Sequence, residues 1–365
     1  MVVHDRTSTV GALFGVVAIV FLVGQQLSVL FGLLNYMSVL VDHSGADAWV
    51  TSASIRNVDA GNFVSGRYLD RVIGLAEVEW AEPVLIGGGL FRTPDNSFES
   101  VRVVGIRRPR LAGGPWAFAE ADESALLDLE AVTVDRLDVP KLGLPVLNEV
   151  TEIGDKRVRV GAVTEGARGF QGTLIFASLE RVKEMARLVP GRYSAILVKF
   201  RNGTDKTQAL TQLRRILPEC SVSSREELSR LTKLYYFTNT GIGGSFGFST
   251  AIAVLIGAVI ISLMMYTSVL SRARDFAVMR AIGGRKRDIA VVVISEVLII
   301  AGVGIFLGFL LLSALLRATG GSSIPSYFPA YIPPALAFIT LIISMLGSWV
   351  AMRVALKAEP ASVFH

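Results

Sequence analysis

Four stretches of this chain are apolar for long enough to cross a bilayer: Val10–Met37, Phe246–Leu270, Ile289–Leu316 and Tyr331–Val350. A membrane-spanning helix takes about 20 predominantly apolar residues. The only charge in any of the four is Glu296, in the third. The first run is about twice the 7–15 apolar residues of a secretory leader, and Leu40-Val41-Asp42 is no small-residue cleavage site. A retained first span is therefore expected within residues 1–41, with later spans at 245–270, 290–316 and 331–352. Pro325, Pro329, Pro333 and Pro334 suit a loop and a helix start rather than a helix interior.

Between the first and second runs the pattern changes. Residues 42–236 contain short runs rich in Val and Ile, bounded by Gly, Pro, Asn or Asp, which predict strands. These runs are Ala48–Ala53, Val84–Phe91, Val101–Ile106, Arg157–Val163, Thr173–Phe176 and Tyr193–Phe200. Helical periodicity alternates with them at Arg67–Leu75, at Leu179–Leu188 capped by Ser178, and at Lys206–Leu217 opened by Thr204. The expectation is one large α+β domain with its own core, and Leu111–Glu123 as the boundary between two subdomains. Ser224 and Glu227 fit a capping box, and Leu228, Leu231 and Leu234 follow at helical spacing. A stalk helix over 224–240 is expected. Gly241, Gly243 and Gly244 leave two readings open, a stalk running on into the second span or a helix ended by a glycine hinge.

Charge then orients the spans. The connection 271–289 holds Arg272, Arg274, Arg280, Arg285, Lys286 and Arg287 against Asp275 and Asp288, and short loops this basic stay on the cytoplasmic side. The connection 317–330 holds only Arg317. Both termini, including the tail 353–365, are therefore expected inside, with the large domain and the 317–330 loop outside. Within 271–289, Phe276, Met279, Ala281 and Ile282 recur at helical spacing, and Gly283-Gly284 ends the pattern. This amphipathic segment reads as a docking surface, or as a turn that joins two spans; a minimal turn needs far fewer residues.

The 365 residues are 52% hydrophobic and 18% charged, with mean hydropathy +0.53, as expected of a few spans plus a water-soluble domain. The net charge of +5 sits largely in the 271–289 loop, so it reports topology and contact with anionic membrane lipid rather than nucleic acid. One cysteine, Cys220, excludes an intramolecular disulfide; it reads as a lone buried thiol, or as one that pairs only between chains. His4, His43 and His365 are scattered and make no metal-ligand spacing. The sequence has no phosphate-cradling G-x-x-x-x-G-K-[ST] loop, no H-E-x-x-H and no G-x-S-x-G. Glu296, two turns into the third run, reads either as an interfacial carboxylate that supports the basic loop or as a proton or substrate group. Gly304 and Gly308, with Gly302 before them, form a G-x-x-x-G that lets helices approach closely, within one chain or between two.

The run RARDFAVMRAIGGRKRDI, residues 272–289, resembles the cytoplasmic coupling segment of the FtsX/MacB/LolC-type ABC transporter permeases. Their pattern is roughly R-x-R-E-[IF]-[GA]-x-[LM]-[RK]-A-[IL]-G-A; Asp275 stands here for Glu and Gly284 for Ala. Leu263–Phe276 is also similar to the DevC-like branch, and the tail ALKAEPASVF to the family's common ending. The four-span plan with a large domain after the first span is that family's plan. The resemblance implies a fold: a membrane protein of four transmembrane α-helices, with one large α+β extracytoplasmic domain inserted between helices 1 and 2. It implies a non-catalytic permease subunit in a bacterial plasma (inner) membrane. A separate ABC ATPase subunit would bind ATP and Mg, and this chain would hold no cofactor.

The resemblance further implies a second permease copy or paralogue, and a membrane-fusion protein as a further partner. Phe276, Met279 and Ile282 would be apolar knobs in the ATPase groove, Arg274, Asp275 and Arg280 its polar rim, and Gly283 the stop behind them. An acidic residue recurs in the family at the place of Glu296. The implied work is export or extraction of a lipid, lipoprotein, peptide or drug. The alternative is a transmembrane transducer that activates a cell-wall hydrolase or senses a peptide. A membrane-anchored enzyme would need a clustered acid/base or metal site in the outer domain, and the sequence shows none.

Overall fold

The computed structural model describes residues 6–59, 62–143, 147–187, 189–271, 275–276, 278–279, 282–319 and 325–357. It divides into a helical unit, Met1–Gly32 with Ile242–His365, and a sheet unit, Leu33–Gly241. The first helix, α1 (Arg6–Asp42), contributes residues to both.

In the sheet unit the elements follow as β1 (Ala48–Ser52), β2 (Val64–Ser65), α2 (Arg67–Ile73), β3 (Val78–Arg92), β4 (Phe98–Ile106), β5 (Phe118–Glu120) and β6 (Ala131–Asp135). Then come α3 (Val139–Leu142), β7 (Val150–Ile153), β8 (Lys156–Thr164), β9 (Thr173–Ser178), α4 (Leu179–Met185), β10 (Arg192–Tyr193) and β11 (Ala195–Phe200). The unit ends with α5 (Lys206–Ile216), β12 (Cys220–Ser224) and α6 (Arg225–Asn239). One mixed sheet runs β12-β1-β11-β3-β4-β9-β6-β8-β5, and β7 pairs with both β3 and β8. The pairings β3-β4-β9-β6-β8-β7 and back to β3 thus close a ring, sealed where Phe91 meets Ile153. Inside lie Phe91, Val101, Val103, Val132, Ile153, Val158 and Ile175, all buried. The open arm β12-β1-β11 is covered on one face by α2 and α5, through Leu69, Val72, Leu210 and Leu213. Its other face holds Trp49, against which Leu40 and Val41 of α1 and Leu228 of α6 gather. The alternation in β1 is strict: Ala48 and Val50 go to one core and Trp49 to the other.

Five of the six expected runs fall on single strands; Tyr193–Phe200 is divided at Ser194 between β10, which pairs with β2, and β11 of the main sheet. The expected boundary at Leu111–Glu123 does not divide the unit, because β4 before it pairs in parallel with β9 after it. The fifteen-residue β3 reaches from the open arm into the ring, so the ring core and both cores of the arm share one strand. Ser178 caps α4 by accepting from the Arg181 amide, as its position predicts. For α5 the cap is Asp205, not Thr204: its carboxylate accepts from the amides of Thr207 and Gln208. Ser224 and Glu227 make the capping box of α6. Cys220 is half-buried rather than buried, and burial pushes its thiol up.

In the helical unit α1 is joined by α7 (Ile242–Ser271), α8 (Lys286–Thr319) and α9 (Ile332–Lys357). These are four helices long and apolar enough to cross a membrane. Helix α6 ends at Asn239, and Gly241 takes φ +75° before α7 begins, so the chain makes two helices there instead of one stalk. Packing among the apolar helices runs through small residues. A Cβ on Gly257 of α7 would fall 1.9 Å from Ile19 Cγ1, and one on Gly15 would fall 2.9 Å from Ile260 Cγ2. Apolar side chains gain little by leaving lipid, so this close interlock supplies the contact instead.

Candidate functional site

The basic connection begins where α7 ends. Asp275, Phe276, Val278 and Met279 are helical. The stop after them is a Schellman motif: Gly283 takes φ +99°, and the Gly284 amide donates to the Met279 carbonyl at 2.9 Å. A Cβ on Gly284 would lie 2.7 Å from that same carbonyl oxygen, a close approach that suits glycine where the family pattern often has Ala. Helix α8 then starts on the Arg285 amide, which donates to Asp288 Oδ2 at 2.8 Å. The carboxylate also stands in the first turn, where the helix dipole favours it.

The expected knobs separate. Phe276 is 2% exposed and packs with Ile261, Met265, Ile289 and Val293, so it anchors the turn to the helices and offers no free surface for a partner. Ile282 is 83% exposed. Met279 is half-buried against the same cluster, while Asp275 and Val278 are exposed. Arg274 and Arg280 lie outside the described residues. The periodicity of 276, 279 and 282 marks an apolar stripe but not which of its ends turns inward. The inward end is the one beside α7, where the helix cluster is already assembled.

Glu296 is buried on the inner face of α8, in the same row as Val293, Val297 and Ile300. Gly304 and Gly308 meet α1: a Cβ on either would lie 2.7 Å from the Cβ of Val16 or Val20 respectively. Val16 and Val20, four apart, seat on the two glycines, so the contact forms within the chain. Gly302 faces open space. Gly304→Leu is expected to destabilise the helical unit by about 1–3 kcal/mol through overpacking, and Gly302→Ala to leave it unchanged or slightly firmer. Thermal unfolding of the two variants in one detergent checks this; equal melting would sink the α1–α8 contact.

A second site, missed from the sequence, lies under α6 in the sheet unit. The Tyr236 hydroxyl donates to Asp59 Oδ2 at 2.9 Å and accepts from Gln171 Nε2 at 2.7 Å. Arg102 Nη2 donates to the Asp59 carbonyl at 2.8 Å and reaches its carboxylate at 3.4 Å. The Val58 amide donates to Thr232 Oγ1 at 3.3 Å. Burial raises the Asp59 carboxyl, against the lowering pull of Arg102 and Tyr236, and burial with the Asp59 carboxylate pushes the Tyr236 hydroxyl up. No short-range motif announces these residues, because they come from four separate stretches. Together they fasten α6 to the sheet.

Comparison with known proteins identifies the helical part. Residues 247–360 match the family model described as FtsX-like permease C-terminal. No curated protein matches the chain. Among solved structures, the periplasmic region of MacB from Actinobacillus actinomycetemcomitans is similar at 13% identity and a TM-score of 0.40, over 51% of this chain and 93% of that one. The extracellular domain of the noncanonic ABC-type transporter YknZ from Gram-positive bacteria is similar at 12% identity and a TM-score of 0.36, over 49% and 98%. A domain of a putative permease protein from Porphyromonas gingivalis is similar at 16% identity and a TM-score of 0.33, over 50% and 90%. Residues 247–360 thus match an FtsX-like permease C-terminal domain, which takes in α8, α9 and all of α7 but its first residues.

Proposed function

We propose that the chain is the permease subunit of an ABC transporter, in which a separate ATPase acts on the basic segment 271–289 and the movement serves the sheet unit outside the membrane. The observation that carries this reading is Ile282, an isoleucine 83% exposed on a turn otherwise rich in charge, inside an FtsX-like permease domain. An apolar side chain held out by a capped turn, with cations around it, suits a groove on a partner protein. Among the described residues of the segment, Ile282, Val278 and Asp275 are free to meet that partner, while Phe276 holds the turn in place. The basic charge of 271–289 supports a cytoplasmic position, with both termini inside and residues 42–236 outside a bacterial plasma membrane. Two permease copies, or this chain with a paralogue, would complete the assembly. The sheet unit would then handle a lipid, lipoprotein, peptide or drug, with a membrane-fusion protein as a further partner.

Ile282→Glu tests this. The chain is co-expressed with a candidate ABC ATPase from the same source and purified in detergent. The variant is expected to fold as wild type, because the position is exposed, and to lose the co-purifying ATPase. A central apolar contact is worth about 2 kcal/mol or more, roughly a thirtyfold weakening. A variant that retains the ATPase and its turnover would remove the docking role from 271–289.

A further inference from the structure

Helix α6 buries Leu228, Thr232 and Tyr236 against the sheet and turns a second apolar stripe away from it. On that stripe Leu234 is 56% exposed and Phe237 40% exposed. With Leu34 of α1 they form the apolar lining of an open groove of about 470 Å³; Arg230, Lys233, Ser229, Asp42 and Glu226 line the rest. An open groove of this size covers part of an amphiphile rather than enclosing it. The polarity of the lining has an order along both helices. Leu34 lies inside the first apolar run, and Phe237 precedes Ile242, where the second candidate span begins, by five residues. Five residues reach at most about 18 Å. On α6 the apolar lining is thus the part nearest the next span along the chain and the charged lining stands further from it; on α1, Leu34 lies within the apolar run and Asp42 at its end. Lys233 Nζ pairs with Asp42 Oδ2 at 3.3 Å, and Arg230 is exposed one turn before it, so the polar lining sets two cations beside two carboxylates, Asp42 and Glu226.

We propose that this groove holds one phospholipid molecule, its acyl chain along Leu34, Leu234 and Phe237 and its phosphodiester between Arg230 and Lys233. An acyl chain covers exposed apolar side chains of a segment that borders a candidate span, and a zwitterionic head group, phosphodiester and ammonium together, answers two cations standing beside two carboxylates. This rests on the reading of the chain as a membrane-spanning subunit, but it needs no ATPase, so its failure and that of the docking role are read in separate experiments.

The test is native mass spectrometry of the full chain in detergent, titrated with dioleoylphosphatidylethanolamine or with dioleoylglycerol, which has the same chains and no phosphate. Wild type is expected to keep one phosphatidylethanolamine and to prefer it over dioleoylglycerol at least tenfold. Leu234→Asp with Phe237→Asp should reduce the bound lipid at least tenfold. Arg230→Ala with Lys233→Ala should erase the preference between the two lipids. Leu231→Asp, on the same helix and 43% exposed but outside the groove lining, should bind as wild type and shows that α6 tolerates an added acid. Equal loss in Leu231→Asp and in the Leu234/Phe237 variant would overturn the proposal, as would a retained preference without the two cations, or no bound lipid in wild type.

Discussion

Phe276→Ala is expected to lower the stability of the helical unit by about 3–5 kcal/mol, the range for truncating a fully buried aromatic. The side chain is 2% exposed and fills a space bounded by residues of α7 and α8, so its loss leaves a cavity where the turn is moored. Thermal unfolding in detergent and yield in the membrane fraction measure it. Ile282→Ala, six positions on, should melt close to wild type. The contrast matters because the two residues look alike in sequence. If Phe276→Ala melts like wild type yet loses the ATPase, Phe276 is a partner contact and the burial described above does not govern its role.

The second large effect falls in the sheet unit. Arg102→Ala strips Asp59 of its cation in a site where the two side chains are only 18% and 14% exposed. An orphaned, mostly buried carboxylate destabilises by about 3 kcal/mol, the lower end of the range for breaking a buried pair. The pH dependence has a definite sign. Burial holds the Asp59 carboxyl above its ordinary value in the folded protein, so the stability it contributes is full below the unfolded value and is lost as pH rises through the folded one. Removing Arg102 removes a lowering influence and raises it further. The deficit of Arg102→Ala should therefore be larger at pH 8 than near pH 4, where the carboxyl takes up a proton. Adding Asp59→Asn should recover much of the loss at pH 8. A deficit independent of pH, or a double variant as weak as the single, would mean that Arg102 acts by packing alone.

Much of this architecture is legible in the chain because its signals are local. The apolar runs, the Ser178 cap and the Ser224–Glu227 box each depend on residues within a turn or two. What escapes is set by distance. Strands β6, β7 and β12 are four or five residues long, and they are strands because distant partners bond them. The Gly113-Gly114-Pro115 run looks like a boundary but is only a loop, since the parallel pairing of β4 with β9 joins what lies on either side. At the basic segment, spacing reveals the stripe of Phe276, Met279 and Ile282, but only the packed helices decide that Phe276 goes in and Ile282 stays out. The Asp59–Arg102–Gln171–Tyr236 cluster has no local signal at all.

Closing six strands into a ring also governs how the sheet unit meets other copies of itself. A strand with an unpaired side is a template for another chain's backbone, and ring strands present no such side over their paired length. The path of the main sheet ends at β12 and β5. β5 is three residues long, ends in Glu120 and leads into Asp122 and Glu123, and these like charges repel a second copy. β12 is five residues long and runs straight into the capped start of α6. Both ends of the main sheet are too short, and one too acidic, to seed edge-to-edge aggregation.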